Sequence, residues 1–258
     1  MGIASKKIKL TNDYWARGYM PIQLGENEFL KYRYYPDYLV KSKNKKDIET
    51  ITDPTKVLRG MGINCRSTKL IIDGGNMVAC GPYIVMTDNV FVENGYDKGD
   101  VNFKVLLESE LGHPVIIIPW TSHEDDVYGH SDGFIKWCGD NRILMGNYGD
   151  RYPEEPAYIR RILESYGFEV TEMRFKGKVD KPCYDLNWAY INFLQVGKNI
   201  IMPKFNIEED AIAQQYIQEA YPDCCIRQIE MAEEIAKQGG ALHCLSWNVY
   251  LPKSHVKT

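Results

Sequence analysis

Three short runs of this chain share one pattern, Ile84-Val85-Met86, Ile143-Leu144-Met145 and Ile200-Ile201-Met202, set 59 and 57 residues apart. A repeat of that period narrows the possible folds sharply, because each unit exposes an apolar face that it cannot bury alone. Each run follows another short apolar stretch, Asn76 to Cys80, Phe134 to Cys138 and Tyr190 to Val196. Each precedes a helical pattern: Phe103, Leu106, Leu107 and Leu111; Ile159, Ile162, Leu163 and Tyr166; Ala213, Tyr216, Ile217 and Ala220. Gly112 and Gly167 stand where C-cap glycines belong, Asn206 with Glu209 resembles a capping box, and Pro222 follows the third helix. One more strand comes after each helix, Val115 to Ile118, Phe168 to Phe175 and Cys225 to Ile229. The unit is therefore strand, strand, helix, strand.

A less regular copy precedes these three. It runs from Pro21 to Leu24 through a turn at Gly25-Glu26-Asn27 to the alternating Leu30, Tyr32 and Tyr34, then a helix begun by Asp53-Pro54 and a strand through Leu70 to Ile72. A short helix from Met231 to Lys237 and a strand from Cys244 to Tyr250 read as an incomplete fifth copy. Units of this kind must stack or close into a ring, and a ring brings their junctions together at its centre. Residues 1–258 are thus expected to form a single α/β domain.

With 44% hydrophobic and 12% aromatic residues the composition is globular. A formal net charge of −4 offers no general attraction to nucleic acid or anionic lipid, so neither is expected as a partner. The basic stretch Lys41 to Lys46 reads as a solvated loop. Apolar runs such as Val115 to Ile118 are too short to span a bilayer, and MGIASKKIKL contains no apolar leader segment, which makes cytoplasm the default location. Met1-Gly2 does not extend to a myristoylation motif, because Lys6 occupies the position that needs Ser or Thr. Seven cysteines without C-x-x-C spacing indicate neither a disulfide framework nor a metal site, and reduced thiols are expected.

Chemistry-bearing residues fall at the junctions: Asp73-Gly74-Gly75-Asn76, Gly129-His130-Ser131-Asp132 and Gly239-Gly240-Ala241-Leu242-His243-Cys244. Cys244 supplies a nucleophile and His130 a proton shuttle, and a thiol with an ordinary pKa near 8.5 needs a neighbouring cation to ionise. That cation is either His130 or a guanidinium-bearing substrate. Asp132 shares a face with His130 if the segment is extended, and His243 then points away from Cys244 and reads as structural. His113, His123, Asp125 and Asp126 read as loop residues without a partner motif.

In order, Trp15-Ala16-Arg17 with Met20-Pro21-Ile22, Asp73-Gly74-Gly75-Asn76, Gly129-His130-Ser131-Asp132, Ala189-Tyr190-Ile191-Asn192-Phe193 and Gly239 to Cys244 resemble the landmarks of the agmatine deiminase and bacterial-type peptidylarginine deiminase family. The resemblance covers most of the chain. It implies the pentein fold, an α/β-propeller of pseudo-fivefold ββαβ units, in agreement with the repeat. It also implies a cofactor-free deiminase acting on a small-molecule guanidine or an arginine-containing peptide. Cys244 would attack the guanidinium carbon, His130 would protonate departing ammonia and then activate water, and Asp132 and Asp73 would hold guanidinium nitrogens or the histidine. Trp15, Arg17, Gly18, Asp132 and Asn76 would contact the substrate.

Two departures stand out. Position 18, where the family carries a substrate-gripping aspartate, is glycine, and Asp73 stands where a glutamate is common. Losing one carboxylate partner of a desolvated cation costs about 2–5 kcal/mol. Either the glycine deletes that grip, or it serves a backbone conformation with φ above zero. Relatives also carry more sequence ahead of the tryptophan landmark, which implies a more open pocket. An amidinotransferase or dihydrolase-type relative, and a silent guanidine-binding protein, are therefore the competing readings. Nothing in the sequence sets the oligomeric state, and a homo-oligomer is compatible with it.

Overall fold

The computed structural model describes residues 5–120, 128–150, 152, 154–175, 182–230 and 232–250, with nothing of the side chains of residues 182–185. His123, Asp125 and Asp126 lie outside the described residues, as does Met231.

The described strands form four three-stranded sheets of one design. The first holds β1 (Ile22–Gly25), β2 (Glu28–Arg33) and β3 (Arg66–Ile71); the second holds β4 (Val78–Cys80), β5 (Tyr83–Thr87) and β6 (Val115–Ile118). β7 (Ile135–Trp137), β8 (Arg142–Met145) and β9 (Glu169–Glu172) make the third, and β10 (Leu194–Val196), β11 (Asn199–Pro203) and β12 (Cys225–Ile229) the fourth. In each, a hairpin supplies the antiparallel pair and a crossover returns the third strand parallel to the second. The three recurring runs are β5, β8 and β11, the central strand of their sheets. Their Ile, Val and Met side chains are mostly buried, as expected for strands covered on both faces.

Eight helices are described: α1 (Ala16–Tyr19), α2 (Asp37–Val40), α3 (Thr55–Met61), α4 (Asn89–Glu93), α5 (Val101–Leu111), α6 (Glu154–Ser165), α7 (Glu209–Ala220) and α8 (Ala232–Ala236). α5 is started by the Asp100 carboxylate, which accepts from the Phe103 N–H at 2.9 Å, and stopped by Gly112 at φ 69°. Its buried face is Phe103, Leu107 and Leu111, a strict four-residue spacing that turns Leu106 outward, 41% exposed. Tyr166 likewise lies beyond the end of α6 and faces outward. The capping box expected at Asn206 and Glu209 does not form. Asn206 takes a φ of 59°, and the Asp210 carboxylate gathers the Phe205 and Ile207 N–H groups at 2.9 and 3.0 Å instead.

The expected fifth strand from Cys244 to Tyr250 is absent; this stretch is a turn followed by irregular chain. It bridges the fourth unit to the first. The His243 N–H donates to Asn192 O, the Arg17 N–H to Cys244 O, and Trp247 Nε1 to Pro21 O at 2.7 Å. A fivefold repeat survives in the turns that open the units. In each, an N–H closes on the carbonyl three residues back: Gly18 on Trp15, Asn76 on Asp73, Gly133 on His130, Asn192 on Ala189 and Ser246 on His243. The chain has the pentein fold, with four complete ββαβ units and a fifth reduced to its opening turn among the described residues.

Candidate active site

Four of the five opening turns contribute to one cavity of about 320 Å³. Trp15, Arg17, Gly18, Asp73, His130 and Cys244 line it, and the Gly239-Gly240 pair borders the thiol. Both glycines have a physical reason. Gly239 sits at φ 88°, and a β-carbon at Gly240 would run into the Trp15 ring, so the chain reaches Cys244 only without side chains there.

Cys244 is held by its backbone, its N–H donating to Asn192 Oδ1 at 3.2 Å. Its thiol lies 3.7 Å from Asp132 Oδ2. Burial, and then the Asp132 carboxylate, push the thiol well above its ordinary pKa. Both influences favour the neutral thiol.

Asp132 is fully buried beneath the thiol rather than lining the cavity. His243 Nδ1 approaches its Oδ2 at 2.6 Å. Burial is the largest influence and opposes charge on the carboxylate, but this hydrogen bond together with the nearby His130 and Lys136 charges outweighs it and holds Asp132 at about 2. Burial together with Arg17 and Lys136 pushes His243 down to about 3, so the pair is a neutral imidazole donating to an ionised carboxylate. The expectation that His243 points away from the site fails because its segment is a tight turn, in which side chains do not alternate.

His130 turns to the neighbouring unit, with Nε2 3.3 Å from Asp73 Oδ2. Its ring lies over Gly75, where a β-carbon would stand 2.6 Å from Nδ1. Burial opposes an imidazolium, but Asp73, with help from Asp132 and Glu93, raises its pKa to about 9. Asp73 is completely engaged: Oδ1 accepts from the Gly75 N–H at 2.8 Å, and Oδ2 receives both His130 and the Tyr38 hydroxyl. Of the two roles considered for Asp73, this geometry fits holding the histidine.

Asn76 is a correction. Its amide carbonyl accepts from the Thr87 N–H at 2.7 Å and the Ser131 N–H at 3.4 Å, stitching the second unit to the third, and it does not line the cavity. Gly18 lies inside α1 and outside the left-handed region, so the positive-φ explanation fails. Space is the reason instead, because a β-carbon would stand 2.9 Å from Tyr34 Cε2. Arg17 donates from Nη2 to Asn248 Oδ1 at 3.0 Å, while its buried Nε finds no hydrogen-bond partner among the described residues.

Sequence reasoning missed four participants: His243, Asn192, Tyr38 and Lys136. Asn192 was findable, since it ends the opening turn of its unit as Asn76 does. Lys136 was not. Its ammonium is buried 4.9 Å above the Phe193 ring without a hydrogen-bond partner among the described residues, and burial, against the pull of Asp132, lowers its pKa to about 8. The cavity rim adds Tyr14, Tyr128, Leu39, Asp13 and Asp47. Among the described residues no cluster of His, Cys, Asp and Glu could hold a metal ion, and no helix is long and apolar enough to cross a membrane.

Comparison with known proteins agrees with this geometry. The chain is 41% identical over 93 residues to a putative agmatine deiminase of Streptococcus mutans, covering 36% of this chain and 23% of that protein. It is 24% identical over 214 residues to the agmatine deiminase of Pseudomonas fluorescens, covering 70% of this chain and 57% of the relative. This chain thus spans less than two thirds of the length of these curated relatives. In structure it is similar to a substrate-bound agmatine deiminase of C. jejuni, with a TM-score of 0.74, 17% identity and coverage of 91% and 73% of the two chains. A putative arginine deiminase of Porphyromonas gingivalis gives a TM-score of 0.71 at 19% identity, with coverage of 91% and 74%. The dimethylarginine dimethylaminohydrolase (DDAH) of Pseudomonas aeruginosa gives 0.52 at 12%, with coverage of 88% and 72%. The model of the Porphyromonas-type peptidyl-arginine deiminases matches residues 7–249, and the chain belongs to that family.

Proposed function

We propose that this chain hydrolyses the guanidino group of a small guanidine or of arginine in a peptide to a ureido group and ammonia. The observation that carries the reading is a buried thiol 3.7 Å from a carboxylate, in a cavity that also presents a histidine held protonated by Asp73. A thiol so placed ionises when a cation sits beside it, and a guanidinium is both that cation and the electrophile. As the guanidinium enters, the Cys244 proton passes to solvent and the sulfur bonds to the central carbon. His130 donates its proton to the departing nitrogen, the C–N bond breaks, and ammonia leaves a thiouronium on Cys244. Neutral His130 then takes a proton from water, the hydroxide adds to the same carbon, and the C–S bond breaks as the hydroxyl proton passes to the departing sulfur, returning the Cys244 thiol and the ureido product. Asn192 holds the nucleophile, and Asp132 with His243 forms the polar floor beneath it.

Gly18 favours one second reading. With Tyr34 standing where a side chain at position 18 would go, a guanidinium meets one carboxylate fewer, which fits binding without turnover. A screen of guanidino compounds by mass spectrometry tests both. Turnover gives the mass change of replacing NH by O, with ammonia in equal amount; an amidinotransferase would instead release the substrate's alkylamine, pass the amidino group to an acceptor amine and form no ammonia. Binding that quenches tryptophan fluorescence, without any mass change, would establish the silent reading.

A further inference from the structure

Asp73 Oδ2 receives two donors at once, the Tyr38 hydroxyl at 2.8 Å and His130 Nε2 at 3.3 Å. Its other oxygen is occupied by the Gly75 N–H. The two donors therefore divide one lone-pair region of a buried carboxylate, and the nearer one is neutral. Behind Tyr38 stands the Tyr34 hydroxyl, 3.2 Å away. The Tyr38 proton points at Asp73, so Tyr34 is the donor in that contact, and a hydroxyl chain runs from Tyr34 through Tyr38 to Asp73. Burial raises both phenols well above their ordinary range and keeps them protonated. The Tyr38 ring also packs edge-on against His130 and Tyr128, with centroids 5.9 and 4.9 Å apart. Gly18 makes the arrangement possible, since any β-carbon there would meet the Tyr34 ring.

We propose that Tyr38, backed by Tyr34, is a positioning residue for His130: its hydroxyl shares Asp73 Oδ2 with the imidazole and weakens the grip of that carboxylate on the proton shuttle. Catalysis needs His130 to give up its proton and take another. Asp73 alone, in a buried site, would hold the imidazolium too firmly for the second task. The Tyr38 donor withdraws part of the negative charge that His130 sees, and donation from Tyr34 strengthens it, because hydrogen bonds in a chain polarise one another. The groups facing His130 are Asp73 from the turn after β3, Asp132 from its own turn, Glu93 from α4 and Tyr38 from α2, with Tyr128 beside it. Burial, then Asp73, raises the Glu93 carboxyl to about 8, which leaves it uncharged at neutral pH. The catalytic meaning rests on His130 being the proton shuttle of the proposed reaction; the titration itself does not.

NMR titration of the His130 imidazole, assigned by its loss in His130→Gln, tests this in the intact chain without any turnover. Tyr38→Phe keeps the ring and removes the donor, and the His130 midpoint should rise by about half to one pH unit, the worth of one hydrogen bond. Tyr34→Phe should raise it by less, and Gly18→Ala, which pushes the Tyr34 ring aside, should also raise it. A midpoint in Tyr38→Phe that stays put or falls while the melting temperature is unchanged overturns the proposal. If Tyr38→Phe does not fold, Tyr34→Phe and Gly18→Ala decide, and an unmoved midpoint in both overturns it. A failed substrate screen would sink the deiminase reading and leave this titration result standing.

Discussion

Gly18→Asp restores the carboxylate that the family resemblance implies, and the structure sets its outcome. The new β-carbon would stand 2.9 Å from Tyr34 Cε2 and 3.2 Å from its Cζ and hydroxyl. Tyr34 is 6% exposed and packed edge-on against Tyr19 with centroids 6.1 Å apart, so the ring yields only at the expense of that packing. Overpacking of this kind costs about 1–3 kcal/mol. At 258 residues that lowers the melting temperature by about 2–12 °C, before any repulsion between the added carboxylate and Asp73. Activity should not rise, although an unobstructed carboxylate would contribute about 2–5 kcal/mol to holding a guanidinium. The assay is a double-mutant cycle by thermal melting and ureido-product formation, with Tyr34→Leu as the second change. If the ring is the obstacle, the cost of Gly18→Asp should fall by about 0.5–3 kcal/mol in the Tyr34→Leu background. Gly18→Asp alone that melts with the parent and turns over faster would refute the steric argument.

Cys244→Ala should abolish turnover and leave guanidine binding intact, whereas Cys138→Ala, buried away from the cavity, should keep turnover; mass spectrometry and calorimetric titration separate the two. The folded-state pKa of His130 is raised to about 9 from an ordinary 6.5. Its contribution to stability, about 1–3 kcal/mol, is therefore complete below pH 6.5 and lost as pH climbs towards 9, and Asp73→Asn should flatten that fall in denaturant midpoints. Lys136 has the opposite sign: lowered to about 8, it destabilises the fold at neutral pH and ceases to do so as pH rises from 8 to 10.5. Lys136→Met should raise the melting temperature at pH 7, worth about 1–3 kcal/mol, and remove that pH dependence. A lower melting temperature would mean that the pairing with Asp132 outweighs the burial.

The period of the repeat, the order of strand, strand, helix and strand, and the central strands β5, β8 and β11 were legible in the sequence. These are local facts: apolar side chains recur at the spacing of one element, and Gly112 or Pro222 ends a helix by its own covalent geometry. The landmarks at Asp73, His130 and Cys244 were legible too, because they open units whose junctions a ring must bring together. Pairing was not legible. That His130 meets Asp73 from the preceding unit, while Asp132 turns under the thiol to His243, depends on how neighbouring turns face each other across the cavity. The alternation rule for strands misassigned His243 because its segment has no ladder partner and winds into a turn. Gly18 carries the same lesson. From the chain alone it reads as a lost carboxylate or a special φ; only packing reveals that the Tyr34 ring, from the end of the neighbouring hairpin, stands in the space and hands a hydroxyl chain to Asp73. Sequence periodicity determines which elements form because that competition is settled within a few residues. Which side chain fills a given volume is settled by atoms that only the tertiary structure brings within van der Waals contact.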